Sequence, residues 1–192
     1  PWLSETTVDA LPFITSVARQ QAENAQRQED LMLELSPACL RISPDNLEKI
    51  LIELLDNAFK FSEPGTPVHV KIIMNGHLCI LSIIDQGSGM TNDQIASIGA
   101  YIQFERKRQE QQGAGLGLII CYLLAQLEGG VLSIHSHVNQ GTTVSIVFNC
   151  EPDSVPAQTR IAPPPRTEHP VKHSEPAERV PPQKILTLLY DY

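Results

Sequence analysis

Three short stretches of the chain carry residue types that could act together chemically. The first, Glu53-Leu-Leu-Asp-Asn57-Ala-Phe-Lys60, puts a carboxylate, a neutral amide and an ammonium group at helical spacing. The second, Asp85-Gln-Gly87-Ser-Gly89-Met90, is a carboxylate followed by two glycines; the third, Gly113-Ala-Gly115-Leu116-Gly117-Leu118, alternates glycines ahead of an apolar run. A carboxylate at Asp85 can accept a hydrogen bond from an exocyclic amine such as that of adenine, and Gly87 and Gly89 let the backbone come close. Gly113, Gly115 and Gly117 expose backbone amides before a helix, whose N-terminus favours phosphate. The Asn57 amide oxygen is a hard, neutral ligand for Mg2+ bridging phosphates. Lys60 one turn on, with Arg106, Lys107 or Arg108, would neutralise phosphate charge. Together these parts suit Mg-ATP better than any other common ligand.

A plainer account of the first stretch exists. Lys49 with Glu53, and Asp56 with Lys60, are i,i+4 pairs of opposite charge, as a solvated helix face would carry. The two glycine motifs downstream, in this order, favour a ligand face instead. Other phosphate motifs fail: no G-x-x-x-x-G-K-S/T loop is present, and a dinucleotide fingerprint would need glycine where Leu118 stands. No H-R-D or D-F-G set appears either.

The elements that must hold these groups follow from periodicity. Leu47, Ile50, Leu51, Leu54, Leu55, Ala58 and Phe61 fall on one face of a helix; Lys49, Glu53, Asp56, Asn57 and Lys60 share the opposite stripe. Ser43-Pro44 starts this helix and Ser62-Glu-Pro-Gly65 closes it. Upstream, the pattern predicts a helix from Thr7 to Arg27, then short strands at Leu31–Leu35 and Cys39–Ile42 forming a hairpin around Ser36-Pro37. Val68–Met74 and Leu78–Ile84 read as strands joined at Asn75-Gly76, which delivers Asp85 at a strand exit. A short helix is expected around Asp93–Ile98. The polar run 105–112 that follows Tyr101-Ile-Gln-Phe104 reads as a lid over a ligand. Gly113 to Gly117 then open a helix reaching about Leu127, stopped by Gly129-Gly130, and strands follow at Val131–His137 and Thr142–Phe148.

With 192 residues, 42% of them hydrophobic, the chain can hold one ordinary domain and a remainder. A net charge of -8 argues against nucleic acid or an anionic membrane as the main partner, since both call for a basic footprint. No apolar run reaches the roughly 18 residues of a membrane span and no signal-peptide pattern opens the chain, so a soluble, cytoplasmic segment is expected. The four cysteines form no C-x-x-C pair and lie in apolar segments, which predicts buried free thiols. His135 and His137 share a strand face, but two histidines alone make a poor metal site. Residues 1–150 are taken as the domain. Residues 151–183 hold nine prolines and read as a linker. Residues 184–192 include the apolar run Lys184-Ile-Leu-Thr-Leu-Leu189, either the start of a following domain or a docking tail.

Set in order, these motifs resemble the catalytic ATP-binding domain of two-component sensor histidine kinases, within the GHKL superfamily of gyrase, chaperone, histidine kinase and mismatch-repair ATPases. The stretch at Glu53–Lys60 resembles the N box, Asp85–Gly89 the G1 box and Gly113–Leu118 the G2 box. Tyr101–Phe104 is similar to the F box, and Gly141-Thr142 to the last glycine motif beside the adenine. The resemblance covers roughly Thr7 to Phe148. It implies an α/β (α+β) two-layer sandwich of the Bergerat type: a mixed sheet, helices on one face and an ATP lid.

Carried over residue by residue, the resemblance gives Asn57 and Glu53 to Mg2+, Lys60 to the phosphates, and Asp85 to adenine with Thr142 in support. Gly87, Gly89, Met90, Tyr101, Phe104, Arg106, Gly113, Gly115, Leu116, Gly117 and Leu118 complete the nucleotide site. It also implies phosphoryl transfer from ATP to a histidine on a dimerisation domain, with a response regulator receiver domain as the later acceptor. The first histidine of this chain is His69, in a predicted strand and followed by valine, so the acceptor is expected outside the chain. Glu53 departs from the kinases, where asparagine is frequent, and matches the hydrolysing relatives, where glutamate activates water. The alternatives are therefore an ATP hydrolase using Glu53 and an ATP-gated, non-catalytic interaction module.

Overall fold

The computed structural model describes residues 7–104 and 116–150, with backbone only for 99–104. Its elements run β1 (Thr7–Asp9), α1 (Ala10–Asn24), a 3-10 turn (Gln28–Asp30), β2 (Leu31–Leu35), β3 (Cys39–Arg41), α2 (Pro44–Phe61), β4 (Val68–Asn75), β5 (Leu78–Asp85), α3 (Asn92–Phe104), α4 (Leu116–Leu127), β6 (Val131–His137) and β7 (Gly141–Asn149). A five-stranded sheet has the order β2-β4-β5-β7-β6, with β2 parallel to β4 and every other pair antiparallel. α2 packs between α1 and α4 and against β5, while α1 meets β2 and α4 meets β6, which makes a helix layer on one sheet face.

The apolar stripe of α2 drives this layering. Leu47, Ile50, Leu51, Leu54, Leu55 and Ala58 are all buried, against Val68, Val70, Ile72 and Leu81 of the sheet. Fully burying aliphatic side chains of this size stabilises a fold by about 1.5–3 kcal/mol each relative to exposure. One residue of the expected face is misplaced: Phe61 is 54% exposed and Phe59 is buried instead. Phe61 is the last helical residue, whereas Phe59 lies beneath the Arg27 guanidinium, 5.3 Å from its ring centroid.

Two other expectations are corrected. Thr7–Asp9 is a strand, not helix: Val8 is buried opposite Leu40 in a two-stranded ribbon of β1 and β3, and α1 begins only after the extended Asp9. The β-branched pair Thr7-Val8 suits that pleated position. The helix also stops at Asn24 rather than Arg27, because Gln26 takes φ 58° and the Arg27 amide bonds back to the Ala22 carbonyl. β2 and β3 do not form a hairpin. β2 pairs in parallel with β4, and a parallel pair needs a crossover, which lets α2 lay its stripe on the sheet. Pro37 lacks an N–H for a local ladder.

The helix expected near Asp93–Ile98 runs from Asn92 to Phe104. It opens with a reciprocal capping box: the Gln94 amide donates to Thr91 Oγ1 at 3.2 Å, and the Thr91 amide to Gln94 Oε1 at 2.8 Å. The β4–β5 and β6–β7 pairs are as expected. The β5–β7 pair, on which the sequence made no statement, sets Asp85 at the end of β5 directly opposite Thr142 of β7. All four cysteines are free, Cys39 half-buried and Cys79, Cys121 and Cys150 buried. Burial first, then the nearby Glu53 charge, pushes the Cys121 thiol up to about 12, so it stays protonated at neutral pH.

Candidate functional site

The polar stripe of α2 meets the first turn of α4. Lys49 Nζ lies 2.6 Å from Glu53 Oε1, an i,i+4 pair that leaves Oε2 for other work. A β-carbon on Gly117 would sit 2.5 Å from Glu53 Oε2 and 3.5 Å from Asn57 Nδ2. Gly117 thus lets the first described turn of α4 lie against the tip of the Glu53 side chain, beside Asn57. Among the described residues α4 opens at Leu116, and the partial positive charge of a helix N-terminus there lies next to two oxygen-bearing side chains. Lys60 does not join them: it is exposed, its ammonium 5.3 Å from the centroid of the Phe61 ring. Leu116 is 47% exposed at the mouth of this turn, whereas the Leu118 side chain is in the core, so only its backbone could serve a ligand.

A second cluster forms where β5 ends. Asp85 Oδ1 accepts hydrogen bonds from the Gly87 amide at 2.8 Å and the Thr142 amide at 3.3 Å. Its Oδ2 has no hydrogen-bond partner among the described residues. The carboxyl is largely buried, and burial raises its pKa above the ordinary carboxylate range despite the two amides pulling the other way. The loop after Asp85 is held from both sides. On one side the Asn139 amide donates to the Ser88 carbonyl at 2.7 Å, and the Met90 amide to Ser136 Oγ at 2.8 Å. On the other, the Ser88 amide donates to the Phe61 carbonyl at 3.0 Å. Gly87 is pressed on that carbonyl, and Gly89 on the His137 carbonyl, with no room for a side chain at either.

The last turn of α2 thus joins two groups, Glu53–Asn57–Gly117 and Asp85–Gly87–Gly89–Met90–Thr142. Tyr101 and Phe104 lie in the final turns of α3, where only backbone is described; Arg106, Gly113 and Gly115 lie outside the described residues. Sequence reasoning overlooked Ser136. Its Oγ donates to the Gly141 carbonyl and contacts Thr142 Oγ1, both at 2.9 Å, while accepting from Met90. The signal was available: the hairpin through Asn139-Gln-Gly141 sets Ser136 opposite Thr142.

The raised pKa of Asp85 gives a signed pH expectation. Only the ionised form can accept two amides and a ligand amine, so adenine-nucleotide affinity should fall as pH is lowered, beginning above the range where an ordinary aspartate protonates. Fold stability has the opposite sign for this group. A carboxyl that binds its proton more tightly when folded adds stability below its unfolded pKa, and loses that contribution as pH rises through the folded value. Titration calorimetry with ADP across that window, with Asp85→Asn as the reference that cancels the nucleotide's own titration, checks the expectation.

A model of the family described as histidine kinase-, DNA gyrase B- and HSP90-like ATPase matches residues 42–152. Curated relatives include the circadian input-output histidine kinase CikA of Synechococcus elongatus, 33% identical over 138 residues, which is 70% of this chain and 17% of CikA. The adaptive-response sensory kinase SasA of the same organism is 29% identical over 69% of this chain and 35% of its own length. The signal transduction histidine-protein kinase ArlS of Staphylococcus aureus is 32% identical over 57% of this chain and 25% of ArlS. The chain thus spans about a third or less of these relatives. Among solved structures, the mycobacterial sensor histidine kinase MprB aligns with a TM-score of 0.61 at 27% identity, covering 77% of this chain and 98% of that one. Full-length ShkA in complex with AMPPNP aligns with a TM-score of 0.61 at 25% identity, over 79% of this chain and 32% of that one.

Proposed function

Because this chain belongs to the histidine kinase-, DNA gyrase B- and HSP90-like ATPase family, we propose that its residues 1–150 bind Mg-ATP and present the γ-phosphoryl group to a histidine of a dimerisation domain outside this sequence. The observation that carries the reading is the Gly117 notch, which seats the α4 N-terminus on the Glu53–Asn57 face. Phosphate at that terminus and a hard cation at that face would be neighbours, as a triphosphate requires. Asp85, clamped at Oδ1 and open at Oδ2, supports adenine recognition at the second group, which the Phe61 end of α2 ties to the first.

Mg2+ fits the donors present: an amide oxygen at Asn57 and a carboxylate at Glu53 are the one or two protein oxygens that this ion takes beside phosphates and water. When bound it would neutralise charge on the β- and γ-phosphates. The chain's own groups do the rest. Asp85 accepts the adenine amine, α4 amides orient the phosphates, and Lys60 can leave the Phe61 ring for the phosphates, being exposed. A histidine nitrogen then attacks the γ-phosphorus while the bond to the β–γ bridging oxygen breaks and ADP departs. Positioning and electrostatics supply most of the catalysis in such a transfer. The phosphoryl group would pass onward to an aspartate of a response regulator receiver domain.

Residues 151–183 are proposed as a linker, supported by the family match ending at 152 and β7 ending at Asn149. A cytoplasmic setting accords with the reading, and no helix among the described residues is long and apolar enough to cross a membrane.

Hydrolysis is a second reading, favoured by the Glu53 carboxylate at the α4 N-terminus. One experiment separates the readings. The purified chain is given γ-labelled ATP, Mg2+ and the dimerisation domain of a related kinase such as CikA. Label on the acceptor histidine, none on this chain alone, and little free phosphate is the expected result. Steady phosphate release that Glu53→Gln abolishes would assign hydrolysis instead. Tight ATP binding with neither product would leave a nucleotide-gated interaction module.

A further inference from the structure

The residue that organises the junction between the two halves of the site is a buried arginine outside every motif. Arg27 follows α1 and is 7% exposed. Its Nη1 donates to the Phe59 carbonyl at 2.8 Å and to the Ser62 carbonyl and hydroxyl at 2.9 Å. Nη2 donates to the carbonyls of Glu63 at 2.7 Å and Thr66 at 3.0 Å, and Nε to Asp30 at 2.6 Å. Asp30 in turn accepts the Gly65 amide at 2.9 Å, and its carboxyl is held below the ordinary range first by the hydrogen bond from Arg27 and then by that amide. One guanidinium therefore terminates α2, where unpaired carbonyls and the negative end of the helix dipole accumulate, and fastens the turn beyond it.

Between Phe59 and Ser62, both gripped by Arg27, stands Phe61, whose carbonyl receives the Ser88 amide and abuts Gly87. Asn57 and Lys60 lie on the same last turn of the helix. Any drift of that turn would move the Glu53–Asn57 face relative to Asp85. The five N–H donors of arginine in a planar fork are what this cradle of carbonyls uses, and lysine cannot reproduce the pattern.

We propose that Arg27 is a positioning residue of the nucleotide site, setting the distance between the phosphate-side face of α2 and the adenine-side loop through the Phe61 carbonyl. This rests on the nucleotide reading above for its consequence, though the clamp itself can be tested without ligand. In the full chain, Arg27→Lys should speed amide exchange at Ser88 about tenfold beyond any change at Leu81 in mid-sheet, and weaken ATP binding about tenfold. Leu40→Ala, a core change between β1 and β3, should lower the melting temperature yet leave the Ser88-to-Leu81 exchange ratio and the affinity of the folded protein unchanged. Should Arg27→Lys fold poorly, Asp30→Asn loosens the same clamp from outside and should show the same pattern at smaller size. Equal acceleration at Ser88 and Leu81, or unchanged exchange and affinity, would overturn the proposal. Selective exposure of Ser88 in a parent protein that fails to bind ATP would keep the clamp and sink the nucleotide reading instead.

Discussion

Asp85→Asn is expected to lose about 100-fold in ATP affinity while melting no lower than the parent. The two effects separate because the two carboxylate oxygens have different partners. Oδ1 takes the amides of Gly87 and Thr142, and an asparagine oxygen can take its place. That leaves the asparagine NH2 where Oδ2 stood, so a donor faces the adenine amine, itself a donor. Losing a charged hydrogen bond and leaving a donor unpaired amounts to about 3 kcal/mol, or two decades in affinity. The fold gains on the other side, because burial disfavours the ionised carboxyl, as its raised pKa records, and asparagine carries no charge to bury. Calorimetric titration with ATP and a melting curve on the same sample check both halves. Unchanged affinity would remove Asp85 from the base pocket.

The largest stability effect is expected at Gly141. Its φ of 88° disfavours any L side chain, and a β-carbon there would run into the Asp85 carbonyl oxygen. The left-handed conformation costs alanine about 1–2 kcal/mol, and the collision is with strand backbone that cannot swing aside. Gly141→Ala should therefore destabilise the fold by about 4 kcal/mol or more, in the range reserved for strain and clashes. Gly65→Ala is the matching control: φ is also 88°, but nothing stands within 4 Å of the added carbon. It should lose only the conformational part, about 1–2 kcal/mol. Chemical denaturation of the two variants gives the difference; equal losses would mean that the strand ends move apart more easily than the register of β5 and β7 suggests.

Much of this protein was legible from residue types and spacing because those signals are local. The 3.6-residue periodicity of 47–61 separated a buried stripe from a polar one, and both appear as expected apart from Phe61. Asn75-Gly76 and Asn139-Gln-Gly141 marked turns, so β4–β5 and β6–β7 could be paired by adjacency. Family membership also follows from motif order, since a glycine pattern after a helical Asn and Lys constrains what can be bound.

What stayed hidden depended on partners remote in the chain. The parallel pairing of β2 with β4 is a tertiary choice, made so that α2 can cross over and bury its face; no property of Leu31–Leu35 announces it. Glycine 117 reads as one of three phosphate glycines until its missing side chain proves to be the space occupied by Glu53. Arg27 enters the sequence reading only as the end of an expected helix, and is buried because five carbonyl and hydroxyl groups from 35 or so residues away converge on it. Sequence alone thus determined the family and which helix carries the candidate polar stripe, because hydrogen-bonding capacity and periodicity belong to residues. The distances that turn those groups into a site were decided by tertiary structure, because close approach depends on which backbones the core brings together.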